Sequence, residues 1–189
     1  MGWLFNWADI ANRSRLQIVC ENIEEDNDKF SHKVVYGSQN GSVCYLACKR
    51  TEKSTGESIV YGLVVLTAIR SNEFCNFGMK EISEFCGPNY YCAPKKLIDM
   101  LSPTDHEWAL DWRRQCLENS SRITKRGKDA KILRELPLNT TIRVLDPAGT
   151  VVIPYLHCGK RRYKIVDQWA RLSTKYILNY GFEIVPSHE

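Results

Sequence analysis

The chain has 189 residues, 43% of them hydrophobic, 25% charged and 11% aromatic; this suits one sizeable domain or two small ones and excludes a disordered polymer. No apolar run reaches the ~18 residues of a membrane span; the best, residues 59–69, is short and contains Gly62 and Thr67. The net charge of +4 is unevenly placed: residues 1–118 hold 13 Lys and Arg against 16 Asp and Glu, a net of −3, and residues 119–189 hold 13 against 6, a net of +7. Such a division suggests two surfaces with different partners.

The opening, Met1-Gly2-Trp3-Leu4-Phe5-Asn6-Trp7, has neither a basic n-region nor a small-residue cleavage site, and Asn6 stands where a myristoylation signal wants Ser or Thr. We therefore expect a cytoplasmic protein. The eight cysteines, Cys20, Cys44, Cys48, Cys75, Cys86, Cys92, Cys116 and Cys158, are scattered rather than densely framed, and are expected as reduced thiols.

In chain order, residues 12–23 read as an amphipathic helix, with Leu16, Val19, Cys20 and Ile23 at i, i+3, i+4 and i+7. Glu24, Glu25, Asp26 and Asp28 form an acidic loop. It is either a solvated turn or a contact surface in which clustered carboxylates imitate a phosphate backbone. Three strands are expected at residues 33–36, 42–49 and 58–69, the first two joined by the hairpin signal Asn40-Gly41. Residues 74–94 read as a loop with a turn at Gly87-Pro88-Asn89. Pro94 then starts a short helix through Met100. Thr104 with Glu107 is a capping box for a helix to about Asn119. Residues 120–131 are polar and basic and read as a linker. Beyond them come strands at 141–145, 150–156 and 161–166, a helix at 174–180 capped by Ser173 and ended by Gly181, and a return strand at 182–185.

The predicted fold is α+β. Residues 1–119 form an antiparallel sheet with helices. Residues 120–131 are a basic linker, and residues 132–189 form a small SH3-like or barrel-like β-rich module.

No catalytic signature emerges. Cys44 and Cys48 have a spacing compatible with zinc, yet no second pair follows at finger-like distance, and Cys86 and Cys92 have no nearby His. Whether the first pair binds zinc stays open, and no cofactor is expected. A catalytic thiol needs a neighbouring base; none of His32, His106, His157 and His188 is well placed to serve. Asp105, Glu107 and Asp111 read as a charged helix face, and no phosphate-binding glycine loop is present. The basic segments carry more. Lys125, Arg126, Lys128, Lys131 and Arg134 form one cluster, and Lys160, Arg161, Arg162 and Lys164 another. Tyr155, Tyr163, Trp169, Tyr176 and Tyr180 lie among or near them. Grouped cations suit phosphates and aromatics suit exposed bases; equally, the cations could be a solvated surface and the aromatics core.

Residues 1–116 carry a resemblance. Met1-Gly2-Trp3 followed by Ser14-Arg15, then Gly78, Lys80 and Glu84, then Gly87-Pro88, Cys92-Ala93-Pro94 and Trp112-Arg113, resemble a family of small uncharacterised proteins carried on bacterial plasmids and phages. The chain departs from the family pattern at Met79, where a Tyr is usual, and at Ala93, which separates Cys92 from Pro94. The resemblance implies a mobile-element setting. In size and setting the chain is also similar to Cas9-inhibiting anti-CRISPR proteins. The function so implied is a non-enzymatic inhibitor of a bacterial defence nuclease, such as Cas9 with its guide RNA, that contacts protein or nucleic acid. The alternative is a stand-alone DNA- or RNA-binding accessory protein.

Overall fold

The computed structural model describes residues 2–24, 26–83 and 88–186; Met1, Glu25, Glu84, Cys86, Gly87 and His188 lie outside the described residues. The architecture is α+β, in two compact units, Met1–Ser121 and Arg122–Glu189, each with its own antiparallel sheet.

The first unit is built on β1 (Gly2–Asn6), β2 (Phe30–Asn40), β3 (Val43–Glu52), β4 (Ser58–Arg70) and β5 (Glu73–Lys80), in the order β1-β5-β4-β3-β2. The β2–β3 hairpin turns at Gly41, whose φ of +59° favours glycine. β3 is apolar without alternation because both its faces are covered. On one face α2 (Arg15–Ile23), capped by the Ser14 hydroxyl, lays Val19 and Ile23 on Cys44, Leu46, Cys48, Leu63 and Val65. On the other, α3 (Lys95–Ile98) and the first turns of α4 (Glu107–Glu135) press Leu97, Ile98, Trp112 and Cys116 onto Val43, Tyr45, Ala47 and Val64. α1 (Trp7–Ile10) closes a small cluster of Ile10, Ile18 and Phe74.

Three expectations change. β1 and β5 were not foreseen, and residues 73–80 form a strand where a loop was expected. β2 is longer than residues 33–36, with a bulge at Val34/Tyr36. Residues 120–131, expected as a linker, are helical and belong to α4, which continues past Asn119 to Glu135.

One knot of polar groups is buried within this apolar setting. Glu81, 1% exposed, accepts hydrogen bonds from the Gly62 amide at 2.9 Å and from Arg113 Nε and Nη2 at 2.8 Å each. Arg113 Nη1 donates to the Ser102 carbonyl at 2.9 Å, and Ser102 Oγ accepts from the Val60 amide at 2.9 Å. A buried charge is tolerable only when paired and hydrogen-bonded in this way. Gly62 also lets the Trp112 ring approach the backbone: a Cβ there would lie 2.8 Å from Trp112 Cζ3.

The second unit has β6 (Ile142–Val144), β7 (Val151–His157), β8 (Lys160–Ile165), β9 (Arg171–Leu172) and β10 (Phe182–Ile184) in the order β10-β6-β7-β8-β9. Ile142, Val144, Val152 and Tyr163 face inward against Leu133 and Leu136 from the end of α4 and Ile177 of α5 (Thr174–Tyr180). The Tyr163 hydroxyl donates to the Leu133 carbonyl at 3.0 Å, satisfying one of the acceptors that a helix end leaves unpaired. Ser173 caps α5 through the Tyr176 amide, and Gly181 ends it with φ +85°, as the sequence suggests.

The turn before β7 is held by Asp146, which accepts from the Thr150 amide and hydroxyl at 2.8 and 2.7 Å and from the Tyr176 hydroxyl at 3.1 Å. These donors favour the ionised form and hold its pKa below the usual carboxylate range, the Thr150 amide foremost. Because the folded-state value lies below the unfolded one, the contribution is complete above the ordinary carboxylate pKa. It is lost as pH falls through the lowered value. The gap in unfolding midpoint between wild type and Asp146→Asn should therefore be largest at neutral pH and narrow as pH falls below the ordinary carboxylate range. A gap independent of pH would refute this role for the carboxylate.

Candidate nucleic-acid interface

Strand alternation divides the β8 cations. Tyr163 and Ile165 turn toward the helices, and Lys160, Arg162 and Lys164 point to the opposite, open face. Arg161 lies on the inner side, half-buried, and its buried Nη1 has no hydrogen-bond partner among the described residues. The hairpin joining β7 to β8 turns through Cys158 and Gly159, with φ of +50° and +70°, and pairs His157 with Lys160 across it. This is the two-residue geometry that keeps strand twist. It places Tyr155 opposite Arg162 and Ile153 opposite Lys164 on the open face. Arg171 of β9 is the cross-strand neighbour of Lys164.

Aromatic rings sit among these cations. Trp169, in the β8–β9 connection, is fully exposed, and the Lys164 ammonium stands 5.9 Å from its ring centre. The Arg171 guanidinium is 5.9 Å from the Tyr155 ring centre, and the Tyr155 and His157 rings are 6.5 Å apart. Among the described residues, no ion pair joins Lys160, Arg162, Lys164 or Arg171 to a carboxylate. Like charges directly opposite one another, such as Lys164 and Arg171, destabilise a sheet.

The other predicted cations lie elsewhere. Lys125, Arg126, Lys128, Lys131 and Arg134 belong to α4, whose Leu133 packs on the inner side of the sheet. Lys131 approaches Glu135 at 4.0 Å, and Arg134 Nε donates to the Ala130 carbonyl at 3.3 Å. The α4 cations are thus separated by the sheet from Lys160, Arg162 and Lys164. Of the aromatics, Tyr163 is core, and the rings of Tyr176 and Tyr180 on α5 meet at a tilt with their centres 4.8 Å apart.

No family model, curated protein or solved structure matches the chain.

The acidic loop has a local task. Glu24 Oε1 accepts from the Val34 amide at 3.1 Å, Asp26 Oδ1 from the His32 amide at 3.2 Å, and Asn27 Oδ1 from the Phe30 amide at 2.8 Å. These three amides alternate along β2, an edge strand, and point away from β3. Asp26 also meets Lys53 at 3.5 Å, and Asp28 is exposed.

The cysteines Cys44 and Cys48 are packed under α2. Burial pushes their thiols up to about 11 and about 12, and that of Cys116 up to about 11, so at neutral pH they are protonated and poor nucleophiles. Among the described residues no group of three His, Cys, Asp or Glu side chains is placed to hold a metal.

Arg171 was missed in the sequence, because it stands alone there. It joins the cationic surface only through the register of β9 against β8.

Proposed function

We propose that the protein binds single-stranded nucleic acid on the open face of β7, β8 and β9. The observation that carries this is the fully exposed Trp169 beside Lys164, repeated by Tyr155 beside Arg171. An indole left fully in water contributes nothing to folding. Stacked on a base it contributes to binding, and the neighbouring cations neutralise the phosphates that come with the base. A duplex, whose bases are already stacked, offers the rings nothing comparable. In the mobile-element setting implied by the resemblance of residues 1–116, the strand bound would be the guide RNA or an unpaired DNA strand of a defence nuclease complex. Glu24 and Asp26 hold β2 amides, so the proposal rests on the basic face and not on the acidic loop.

Fluorescence anisotropy of the full chain with labelled single-stranded and duplex oligonucleotides tests it. We expect single strands to bind in preference to duplex, with log K falling against log salt at a slope of roughly −3 if four cations each neutralise one phosphate. Each of Lys160→Gln, Arg162→Gln, Lys164→Gln and Arg171→Gln should flatten the slope by about 0.7. Absence of binding at low salt, or a slope unchanged by all four substitutions, would overturn the assignment.

A further inference from the structure

On the helix side of the second unit, α4 and the C-terminal end of α5 border a groove of about 450 Å³. Its α4 wall presents Arg122, Lys125 and Arg126, at i, i+3 and i+4 and so on one stripe of the helix. Apolar surface lies beside them: Ile123 is 59% exposed, and across the groove stand Leu178 and the 47% exposed Tyr180. Among the described residues, Asp129 is the one carboxylate of the lining.

The helix itself shows what is missing. Between Cys116 and Leu133, more than four turns of α4 contain no buried side chain. The stretch includes Ser120, Ser121, Thr124 and Gly127, all weak helix formers. Helices of this composition draw their stability from a packed face, and here Ile123, Lys125 and Arg126 beside the groove are exposed.

We propose that this groove docks an acidic segment of a partner protein, with carboxylates against Lys125 and Arg126 and one apolar side chain between Ile123, Leu178 and Tyr180. Charge complementarity selects an anion, and the lining selects a peptide over a nucleic-acid strand. A phosphodiester repeats its charge at every unit, whereas a peptide can set an apolar side chain between carboxylates. Asp129 and the carbonyl end of α5 put negative charge on part of the lining, which suits a segment whose carboxylates are spaced by an apolar side chain better than one charged at every unit. The site is separate from the basic sheet face and does not depend on it.

The test uses the full chain and a labelled synthetic peptide of glutamates around a central Trp-Leu pair. A second peptide has Ser-Ser in place of that pair, and a labelled single-stranded oligonucleotide completes the set. Backbone amide shifts by NMR report where each probe sits. We expect the Trp-Leu peptide to shift residues 122–129 and 178–181, the Ser-Ser peptide to bind more weakly, and the double substitution Lys125→Glu/Arg126→Glu to weaken peptide binding by about tenfold or more. Both positions are exposed, so the fold should survive, with circular dichroism as the check. Oligonucleotide binding should be nearly unchanged in that variant. Three results would overturn the proposal: no shifts at these residues, equal binding of the two peptides, or loss of oligonucleotide binding rather than peptide binding in the variant. The last would give the groove to nucleic acid.

Discussion

Replacing Glu81 by Gln should lower the stability of the first unit by about 3–5 kcal/mol, the usual consequence of leaving one member of a buried ion pair without its partner. The carboxylate is all but inaccessible and takes three hydrogen bonds, two of them in parallel from the Arg113 guanidinium. The amide can accept on one side only, so it turns a donor toward one Arg113 nitrogen and leaves the charge uncompensated. Arg113→Lys should cost less but still measurably, because an ammonium keeps the charge and cannot reproduce the two parallel bonds to Glu81 together with the bond to the Ser102 carbonyl. Thermal unfolding by circular dichroism reads both, with a fall in midpoint of roughly 10 °C or more for Glu81→Gln. The paired replacement of Glu81 and Arg113 by Leu and Met removes both charges and should be milder than either single loss. Should the double variant prove as unstable as the sum of the singles, the pair is not acting as a unit. Gly62→Ala supplies an independent probe of the same place. Its Cβ would meet a Trp112 ring that is 2% exposed and held by a bond from Nε1 to the Tyr90 carbonyl at 2.9 Å. The ring cannot retreat freely, and overpacking of this kind typically costs about 1–3 kcal/mol.

Trp169→Ala should separate binding from folding. The side chain is fully exposed, so unfolding should shift by no more than about 0.5 kcal/mol. Affinity for a single strand should fall by about 1–3 kcal/mol, the contribution of one base–aromatic stack, or roughly 5- to 150-fold. Trp169→Phe should restore part of the loss, since the face of the ring and not its N–H does the stacking. Tyr155→Ala should act in the same direction, with some loss of stability because that ring is half-buried. Anisotropy with a short single-stranded oligonucleotide measures the affinities. An unchanged affinity in Trp169→Ala would remove the observation on which the proposed function stands.

The strands with unbroken chemistry are readable in the sequence. β3 and β4 announce themselves by Val, Ile, Leu and Tyr, their hairpin partner by Asn40-Gly41, and α5 by Ser173 and Gly181. β5 was not, because Asn76 sits at an inward position, 5% exposed, and breaks the apolar alternation that marks a strand. β1 was hidden for a different reason: its pairing with β5 joins the start of the chain to residues 73–77, a distance over which local propensity says nothing. The middle of α4 misled by composition. Serines, threonine and glycine among lysines look like a tether, yet the backbone continues the helix.

The site was half legible. A run of Lys160, Arg161, Arg162 and Lys164 marks charge, but only the strand register tells which three share a face and that Arg171 joins them. That the α4 cations and Lys160, Arg162 and Lys164 lie on opposite sides of one sheet follows from Leu133 and Tyr163 meeting between them. No linear pattern encodes that.

The amides of Phe30, His32 and Val34, held by side chains of the acidic loop, decide how the first sheet could assemble. Growth into a fibre needs two open edges, one to receive a strand and one to offer the next. The first half of β2 is already occupied by its own chain, so a strand added there finds those amides taken. Two copies could still meet through β1 about a twofold axis, and such a pair would be closed. A loop that reads as a string of charges therefore shortens the β2 edge that a second chain could pair with.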